Sequence, residues 1–197
     1  MLLYNSQVSG NCYKVRLLFA HLGIGYKREE LSVFDRSNRP DVLGGKNPAL
    51  RVPTLILGDG RILAESNAII WYFADGTGYL PDDPFERAQV LQWLFFEQYD
   101  HEPNIAVARF WKLAEITPSD EDAAGKRHGG KRALAAMERH LADHDFLVGD
   151  RYSIADIALY AYTHVAPEGG FELERYPSIN AWLRRVAAQP GHVPITA

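Results

Sequence analysis

Strand-forming segments are confined to the first third of this chain, whereas every later apolar pattern has the period of a helix. Before residue 80, short apolar runs alternate with turn residues and helical segments, which is typical of a mixed α/β domain. A stretch rich in Gly, Pro and Asp follows at Asp75–Pro84. We therefore predict an α/β domain at 1–79, a linker at 80–84 and an all-helical domain at 85–197.

The residue pattern of the first domain predicts the element order βαβαββα, counting one short helix in the loop after the second strand. Its first helix carries apolar residues at helical spacing and stops at Gly23, and Gly58-Asp59-Gly60 supplies a hairpin turn. The predicted elements are a strand at Leu2–Tyr4, a helix from Gly10, a strand at Tyr26–Val33, a loop with one short helix at Asp35–Lys46, strands at Thr54–Leu57 and Arg61–Ala64, and a helix at Asn67–Ala74 capped by Ser66.

The second domain shows helix signals alone. Asp83 is a predicted N-cap with Pro84 at the first helical position, and the long helix that follows is expected to kink at Pro103. Three further helices are predicted, at Gly130–Leu141, from Ser153 and from Ser178.

The composition of the chain excludes several classes of protein to which it could belong. The net charge of −4 argues against a nucleic-acid-binding protein, which shows a basic excess or stripe. The single cysteine, Cys12, excludes a disulfide framework and a multi-cysteine zinc site, and the helically spaced His140 and His144 lack a third metal ligand. No signal pattern opens the chain, and no apolar run reaches the ~20 residues of a membrane helix. We expect a cytoplasmic, globular protein without a bound metal, membrane or nucleic acid.

The turn between the first strand and the first helix is the first candidate site. Ser9 lies where free backbone N–H groups and the helix dipole stabilise an anion. A hydroxyl added to these groups could hold a thiolate and lower its pKa. The alternative is that Ser9 only caps the helix. Asn11 lies two positions later on the same helix end.

Two further candidates follow in the same domain. Val52-Pro53 opens a strand, and if its peptide bond is cis, the backbone of Val52 is presented to a peptide-like ligand; the alternative is an ordinary edge-strand proline. Glu65-Ser66 precedes a helix, where a hydroxyl and the helix N-terminus suit a ligand carboxylate and Glu65 suits an ammonium. A plain capping motif would explain this pair equally well.

Together these motifs resemble the glutathione S-transferase family over nearly the whole chain. The resemblance implies a thioredoxin-like N-terminal domain and an all-α C-terminal bundle, with a serine-dependent, theta/phi/nu-like site. Ser9 matches the serine that activates the glutathione thiol, and Asn11 matches an asparagine of some of those classes. Val52-Pro53 matches the pair that binds the cysteinyl backbone of glutathione, and Glu65-Ser66 matches the pair that binds its γ-glutamyl end.

The resemblance also implies roles for less closely matched residues. Arg39 and Arg51 lie near the position of a basic residue that binds the glycyl carboxylate. Asp100 lies on a polar stretch of the long helix, where an acid from a partner subunit can contact the glutathione amine. A second-substrate pocket would be lined by Tyr13, Asn104, Arg109 and Trp111, although large aromatic residues at helical spacing are more often core.

Two more features bear on fold and reactivity. Ser153-Ile154-Ala155-Asp156 is a capping box and looks like the folding motif of the family, which concerns stability rather than chemistry. Ser9-x-x-Cys12 resembles a redox Cys-x-x-Cys whose reactive cysteine is replaced by Ser. We expect Cys12 to be a small buried side chain of the first helix.

The resemblance therefore implies a homodimeric glutathione transferase that acts in detoxification. Glutathione is its co-substrate, and its partner substrate is a small electrophile or a peroxide. The alternative is a non-catalytic or regulatory glutathione-binding module of the same fold.

Overall fold

The computed structural model describes all residues, Met1–Ala197, and divides them into two compact units. Unit 1 contains Met1–Asp75 together with Pro190–Ala197, and unit 2 contains Gly76–Gln189. The sequence predicts Pro190–Ala197 as part of the helical domain, and the structure differs here. These eight residues carry no helical period, and they join unit 1 through backbone carbonyls that accept hydrogen bonds from its side chains.

Unit 1 has the predicted order βαβαββα around one four-stranded mixed sheet. The strand order is β2-β1-β3-β4, with β1 parallel to β2 and antiparallel to β3, and β3 antiparallel to β4. Every residue of β2 is exposed and charged, which suits an edge strand because charge discourages pairing with another chain. The elements are β1 (Leu2–Asn5), α1 (Gly10–Leu22), β2 (Lys27–Glu30), α2 (Arg39–Leu43), β3 (Thr54–Ile56), β4 (Ile62–Ala64) and α3 (Ser66–Ala74).

Helix α1 is fixed at both ends by the residues that the sequence indicated. Ser9 is the N-cap and accepts a hydrogen bond from the backbone N–H of Cys12, and Gly23 ends the helix in the left-handed conformation at φ 64°. Most of the helix is buried, including Val15, Leu18 and other apolar side chains of the unit 1 core. The N-terminus of α1 is therefore held in a defined position at the end of β1.

The regular secondary structure of unit 2 consists of helices alone, as predicted, apart from one isolated β-bridge between Val148 and Arg151. Asp83 caps its first helix and accepts from the N–H of Glu86, and the predicted kink takes the form of a π-helical segment at Glu97–His101 just before Pro103. Pro103 supplies no N–H to the helical ladder, which accounts for the irregular turn there. The α-helices are α4 (Pro84–Phe96), α5 (Glu102–Leu113), α6 (Asp120–Leu141), α7 (Ile154–Thr163) and α8 (Pro177–Ala187), and short 3₁₀-helices lie at Ala166–Gly169 and Leu173–Arg175.

Helix α6 begins ten residues earlier than the predicted start at Gly130. Ser119 caps it by accepting from the N–H of Asp122, and acidic residues fill its first turn, where the helix dipole favours them. The residues before Gly130 are mostly exposed and polar, so this part of the helix has no apolar period that could reveal it.

The predicted capping box of α7 is confirmed and lies at the centre of the unit 2 core. The Asp156 carboxyl group accepts from the N–H of Ser153 at 2.9 Å, from the N–H of Leu147 at 3.0 Å and from the indole N–H of Trp182 at 2.9 Å. Asp156 and Trp182 are both fully buried. One carboxyl group thus joins the start of α7, the segment before it and α8.

Candidate thiol-binding site in unit 1

Ser9 lies at the junction of β1 and α1 with its hydroxyl at the N-terminus of the helix. Its Oγ accepts from the N–H of Cys12 at 3.3 Å, and its own N–H donates to the carbonyl of Ser6 at 3.0 Å. A hydroxyl that accepts through a lone pair still carries a hydrogen to donate. The capping role and a role in binding a thiolate are therefore compatible in one side chain.

A hydrogen-bonded cluster joins the first turns of α1 and α3. The Ser66 hydroxyl donates to Asn11 Oδ1 at 3.2 Å, and Lys14 Nζ lies 3.4 Å from Ser66 Oγ and 3.2 Å from Asn67 Oδ1. Lys14 is fully buried, which is rare for lysine. The cluster unites the predicted Asn11 and Ser66 with a buried positive charge, so it suits the carboxylate of a ligand.

Lys14 and Asn67 were missed by the sequence analysis. Lys14 lies on the first helix among apolar residues, where a lysine is normally expected to reach solvent. Its contacts are with residues more than 50 positions away. No local signal indicates that pairing, although a lysine on an otherwise apolar helix face is itself an anomaly that could have been noted.

The prediction that Ser66 caps α3 is wrong, because Ser66 is the first residue of the helix and Glu65 occupies the N-cap position. Glu65 has φ 66° and ψ 118°, a conformation that a residue with a side chain rarely adopts. Backbone strain of this kind costs about 1–3 kcal/mol and persists where the surroundings impose it, often at ligand sites. The Glu65 side chain is exposed, whereas Ser66 is buried beside Asn11.

The Val52–Pro53 peptide bond is cis, and the segment before it is held by two buried polar side chains. The Asn47 amide donates to the carbonyl of Arg51 at 3.1 Å and to Thr54 Oγ1 at 2.9 Å. The Thr54 hydroxyl donates to the same Arg51 carbonyl at 2.7 Å. Asn47 and Thr54 therefore position this turn, and the sequence analysis had assigned neither of them a role.

Arg39 does not have the geometry expected of a residue that binds a glycyl carboxylate. Its guanidinium donates to the carbonyl of Leu50 at 3.0 Å and to that of Ser32 at 2.7 Å, and the residue is only 4% exposed. Arg39 is a structural group that ties two loops of unit 1 together. Arg51 is exposed, so its side chain is the more accessible cation near Val52-Pro53.

Cys12 is buried completely beneath the Ser9 turn, as expected. Burial raises the pKa of its thiol to about 11, although the neighbouring Ser9 side chain and the backbone N–H of Ser6 oppose the shift. A thiol of this kind is protonated at neutral pH and inaccessible. Cys12 is therefore placed as a packing residue of α1.

The four residues predicted to line a second-substrate pocket have separate environments. Tyr13 is fully buried in unit 1, where its hydroxyl donates to the carbonyl of Val193 at 2.6 Å, so it is core. In unit 2, Arg109 forms an ion pair with Glu168 at 2.6 Å, and the Asn104 amide donates to the carbonyl of Asp100 at 2.6 Å. Trp111 lines a cavity of about 290 Å³ within unit 2.

Asp100 lies in the π-helical segment of unit 2 and is partly exposed. Its backbone carbonyl accepts from Asn104, so the side chain of Asn104 satisfies a carbonyl of the irregular turn. The contact of Asp100 with glutathione from a partner subunit stays a prediction.

The pair His140 and His144 is arranged as a stacked pair rather than as metal ligands. The rings lie 4.3 Å apart, His140 Nε2 lies 3.1 Å from the carbonyl of Leu147, and His144 Nδ1 lies 2.8 Å from the carbonyl of His140. No group of three or more His, Cys, Asp or Glu side chains is arranged to hold a metal ion. The helices also include none with the length and hydropathy that a bilayer span requires.

A four-stranded mixed sheet with a serine at the first strand–helix turn, followed by an all-helical unit, defines a two-domain protein with a thioredoxin-like N-terminal unit. Two family models match the chain: "Glutathione S-transferase, N-terminal domain" over residues 8–75 and "Glutathione S-transferase, C-terminal domain" over residues 92–190. The chain belongs to the glutathione S-transferase family and has its fold.

The chain is similar to proteins with different names. A glutathione S-transferase from Pseudomonas fluorescens Pf-5 is 48% identical with a TM-score of 0.96, over 100% of this chain and 98% of that one. Ure2p in complex with S-hexylglutathione is 25% identical with a TM-score of 0.86, over 96% and 95% of the two chains. Elongation factor 1-gamma from Artemia salina is 29% identical over 92% of this chain, which spans 43% of that protein's length.

Proposed function

We propose that this protein is a serine-dependent glutathione transferase. The Ser9 hydroxyl donates a hydrogen bond to the sulfur of bound glutathione and, together with the N-terminus of α1, holds it as a thiolate near neutral pH. Asn11 supports the same end of the helix. The observation that carries the proposal is the Ser9 hydroxyl at this helix N-terminus, with the cluster of Asn11, Lys14 and Ser66 on the adjoining turns.

The remainder of the tripeptide is proposed to bind along unit 1. The backbone of Val52, beside Pro53, pairs with the cysteinyl residue. Ser66 receives the γ-glutamyl carboxylate, the fully buried Lys14 supports Ser66 and Asn67 from behind and favours the negative charge, and Glu65 receives the ammonium group. With Arg39 engaged elsewhere, the exposed Arg51 is the better candidate for the glycyl carboxylate.

The proposed reaction is nucleophilic attack of the thiolate on an electrophile. A carbon–sulfur bond forms, and either a leaving group departs with its electron pair or the resulting carbanion takes a proton. With an organic hydroperoxide, two glutathione molecules are oxidised to the disulfide, while the O–O bond is reduced to an alcohol and water. Binding the thiolate in a fixed orientation lowers the entropic part of either barrier.

We also propose a homodimer in the cytoplasm. Unit 2 exposes Leu91, Phe95 and Tyr99 at four-residue intervals along α4 and the π-helical segment, with Phe95 69% exposed. Such a stripe supports an interface with a second copy. A cytoplasmic location fits a glutathione-dependent enzyme, because glutathione keeps that compartment reducing.

The first experiment is calorimetric titration with glutathione, followed by initial rates with aryl halides, α,β-unsaturated carbonyls and organic hydroperoxides. The proposal expects saturable binding and glutathione-dependent turnover of at least one class. Ser66→Ala should weaken binding, whereas Ser178→Ala at the start of α8 serves as the control. Absence of glutathione binding by the folded wild-type protein would overturn the proposal.

A second candidate is a glutathione-binding module without turnover. It is favoured by the relationship to elongation factor 1-gamma, of which this chain matches less than half. The same titration separates the two functions, because the module would bind glutathione and leave every electrophile and peroxide unchanged.

A further inference from the structure

The segment Pro190–Ala197, here called the return segment, packs into unit 1 although it follows all the helices of unit 2 in the chain. Its backbone carbonyls accept hydrogen bonds from helix α1. The Tyr13 hydroxyl donates to Val193 at 2.6 Å, and the Arg16 guanidinium donates to Ile195 at 2.6 Å. Both α1 residues are buried, so the return segment covers polar groups that would otherwise face solvent.

Arg16 also holds the turn that carries Ser9. Its Nη1 donates to Asn5 Oδ1 at 2.7 Å and lies 3.4 Å from the carbonyl of Ser6, and its Nη2 donates to the carbonyl of Gln7 at 3.0 Å. The Ser6 carbonyl is the acceptor that the N–H of Ser9 uses. The Gln7 amide of the same turn also donates to the carbonyls of Ile195 at 3.4 Å and Ala197 at 3.1 Å. The return segment is therefore joined to the Ser6–Ser9 turn by the partly exposed amide of Gln7 and by the buried guanidinium of Arg16, and only Arg16 also reaches Asn5 and the Ser6 carbonyl.

We propose that Arg16 is a positioning residue through which the docked return segment fixes the Ser6–Ser9 turn, and with it the Ser9 hydroxyl. Arginine suits this task because its planar fork donates to several fixed acceptors at once, which the single ammonium of lysine cannot do. When the return segment detaches, the Nη2 atom of Arg16 loses the Ile195 carbonyl and the guanidinium can shift. The Ser6 and Gln7 carbonyls then lose the donor that orders them. The inference rests on the proposed role of Ser9 in binding the thiol.

The test compares Arg16→Lys and Tyr13→Phe with Arg61→Lys in the full chain. Arg61 pairs with Asp59 on the exposed hairpin of the same unit and contacts neither partner of the coupling. Tyr13→Phe removes the hydroxyl that donates to Val193 and lies 3.3 Å from His192 Nε2, so it loosens the return segment while the side chains of Arg16 and Gln7 stay in place. It also retains the ring, so it tests the coupling even where Arg16→Lys impairs folding.

Two readouts separate coupling from a purely structural role. Backbone hydrogen exchange is expected to accelerate about fivefold or more, as for one lost hydrogen bond, in both 190–197 and 6–12 of the Arg16 and Tyr13 variants. The pKa of bound glutathione is expected to rise in the same variants, and Arg61→Lys should change neither quantity. Faster exchange in 190–197 with unchanged exchange in 6–12 would overturn the inference. The exchange readout needs no glutathione, so it decides the coupling even if the proposed function fails.

Discussion

At the residue scale, the N-terminus of α1 carries a serine hydroxyl that is proposed to bind a thiolate and, close to it, a buried cysteine thiol. The Ser9 hydroxyl lies at the N-terminus of α1, whereas Cys12 is fully buried one turn later. The sequence alone left open whether the Ser9-x-x-Cys12 pattern carries redox chemistry. Burial decides the matter, because desolvation disfavours the thiolate more than the neighbouring hydrogen bonds favour it.

Cys12 should be unreactive toward a disulfide reagent such as dithiobis(nitrobenzoate) in the native protein. With its pKa raised to about 11, about one thiol in a thousand is ionised at pH 8, and the sulfur has no access to solvent. We expect no native reaction on the scale of minutes and one equivalent of thiol in guanidinium chloride. Rapid stoichiometric labelling of the native protein would contradict this account.

The residues that the sequence predicted well are those whose signal is local. Residue type alone predicts the helix ends at Ser9, Gly23 and Asp83, and each of these residues is the cap that was predicted. Lys14 and Asn47 could not be assigned in this way, because their partners are set by tertiary structure. The positive φ of Glu65 has no signal either, since the usual residue for such a conformation is glycine.

At the element scale, helix α7 depends on a single carboxyl group. Asp156→Asn replaces one of the oxygens that accept from Ser153, Leu147 and Trp182 with an amide group that donates. We expect a loss of about 3 kcal/mol in the free energy of unfolding, measured by urea titration. Asp122→Asn in the exposed Ser119–Asp122 cap of α6 is the matched control and should cost much less.

Asp156 also imposes a pH dependence on stability. Burial raises its pKa from 3.8 to about 6, against the hydrogen bonds that it accepts. Between these pH values the folded state binds more protons than the unfolded state, so its contribution to stability is present below about pH 4 and lost as the pH rises to about 6. The decline should be absent in Asp156→Asn, and an equally steep decline in that variant would assign the titration to another group.

Element boundaries were predictable where apolar periodicity reaches the end of the element. The start of α6 lacked that signal because its first turns face solvent, and the interruption between α4 and α5 took a form that Pro103 alone does not specify. The order of strands and helices in unit 1 could be predicted more reliably than their boundaries. It depends on several turn residues and on one hairpin rather than on any single boundary.

At the scale of the whole molecule, the sequence pattern does not predict that the return segment belongs to unit 1. The return segment has no apolar period, and its contacts use backbone carbonyls, so its docking on unit 1 has no signature in residue type. The apolar stripe of Leu91, Phe95 and Tyr99 is recognised as exposed only in the structure, because the sequence does not distinguish an exposed apolar residue from a buried one.

Phe95→Glu should convert the proposed dimer into a monomer, since a charge at a desolvated apolar contact is unfavourable. Sedimentation of the wild-type protein is expected to give twice the chain mass of 22.2 kDa, and the variant the chain mass. Ile116→Glu is the control, because Ile116 is an exposed apolar residue beyond the end of α5. A monomeric wild-type protein, or a dimeric Phe95 variant, would contradict the proposed interface.

The central claim is that Ser9 holds glutathione as a thiolate, and ultraviolet thiolate absorbance of the bound tripeptide across pH tests it most directly. In the wild-type protein we expect the pKa of the bound thiol to lie well below the ~8.5 of a free thiol. Ser9→Ala should raise it toward that value by about one unit or more, since a charge-assisted hydrogen bond of about 1.5–3 kcal/mol is lost. Ser66→Ala should weaken glutathione binding and leave the pKa of the bound thiol unchanged. A bound thiol whose pKa is the same in wild type and Ser9→Ala would contradict the account.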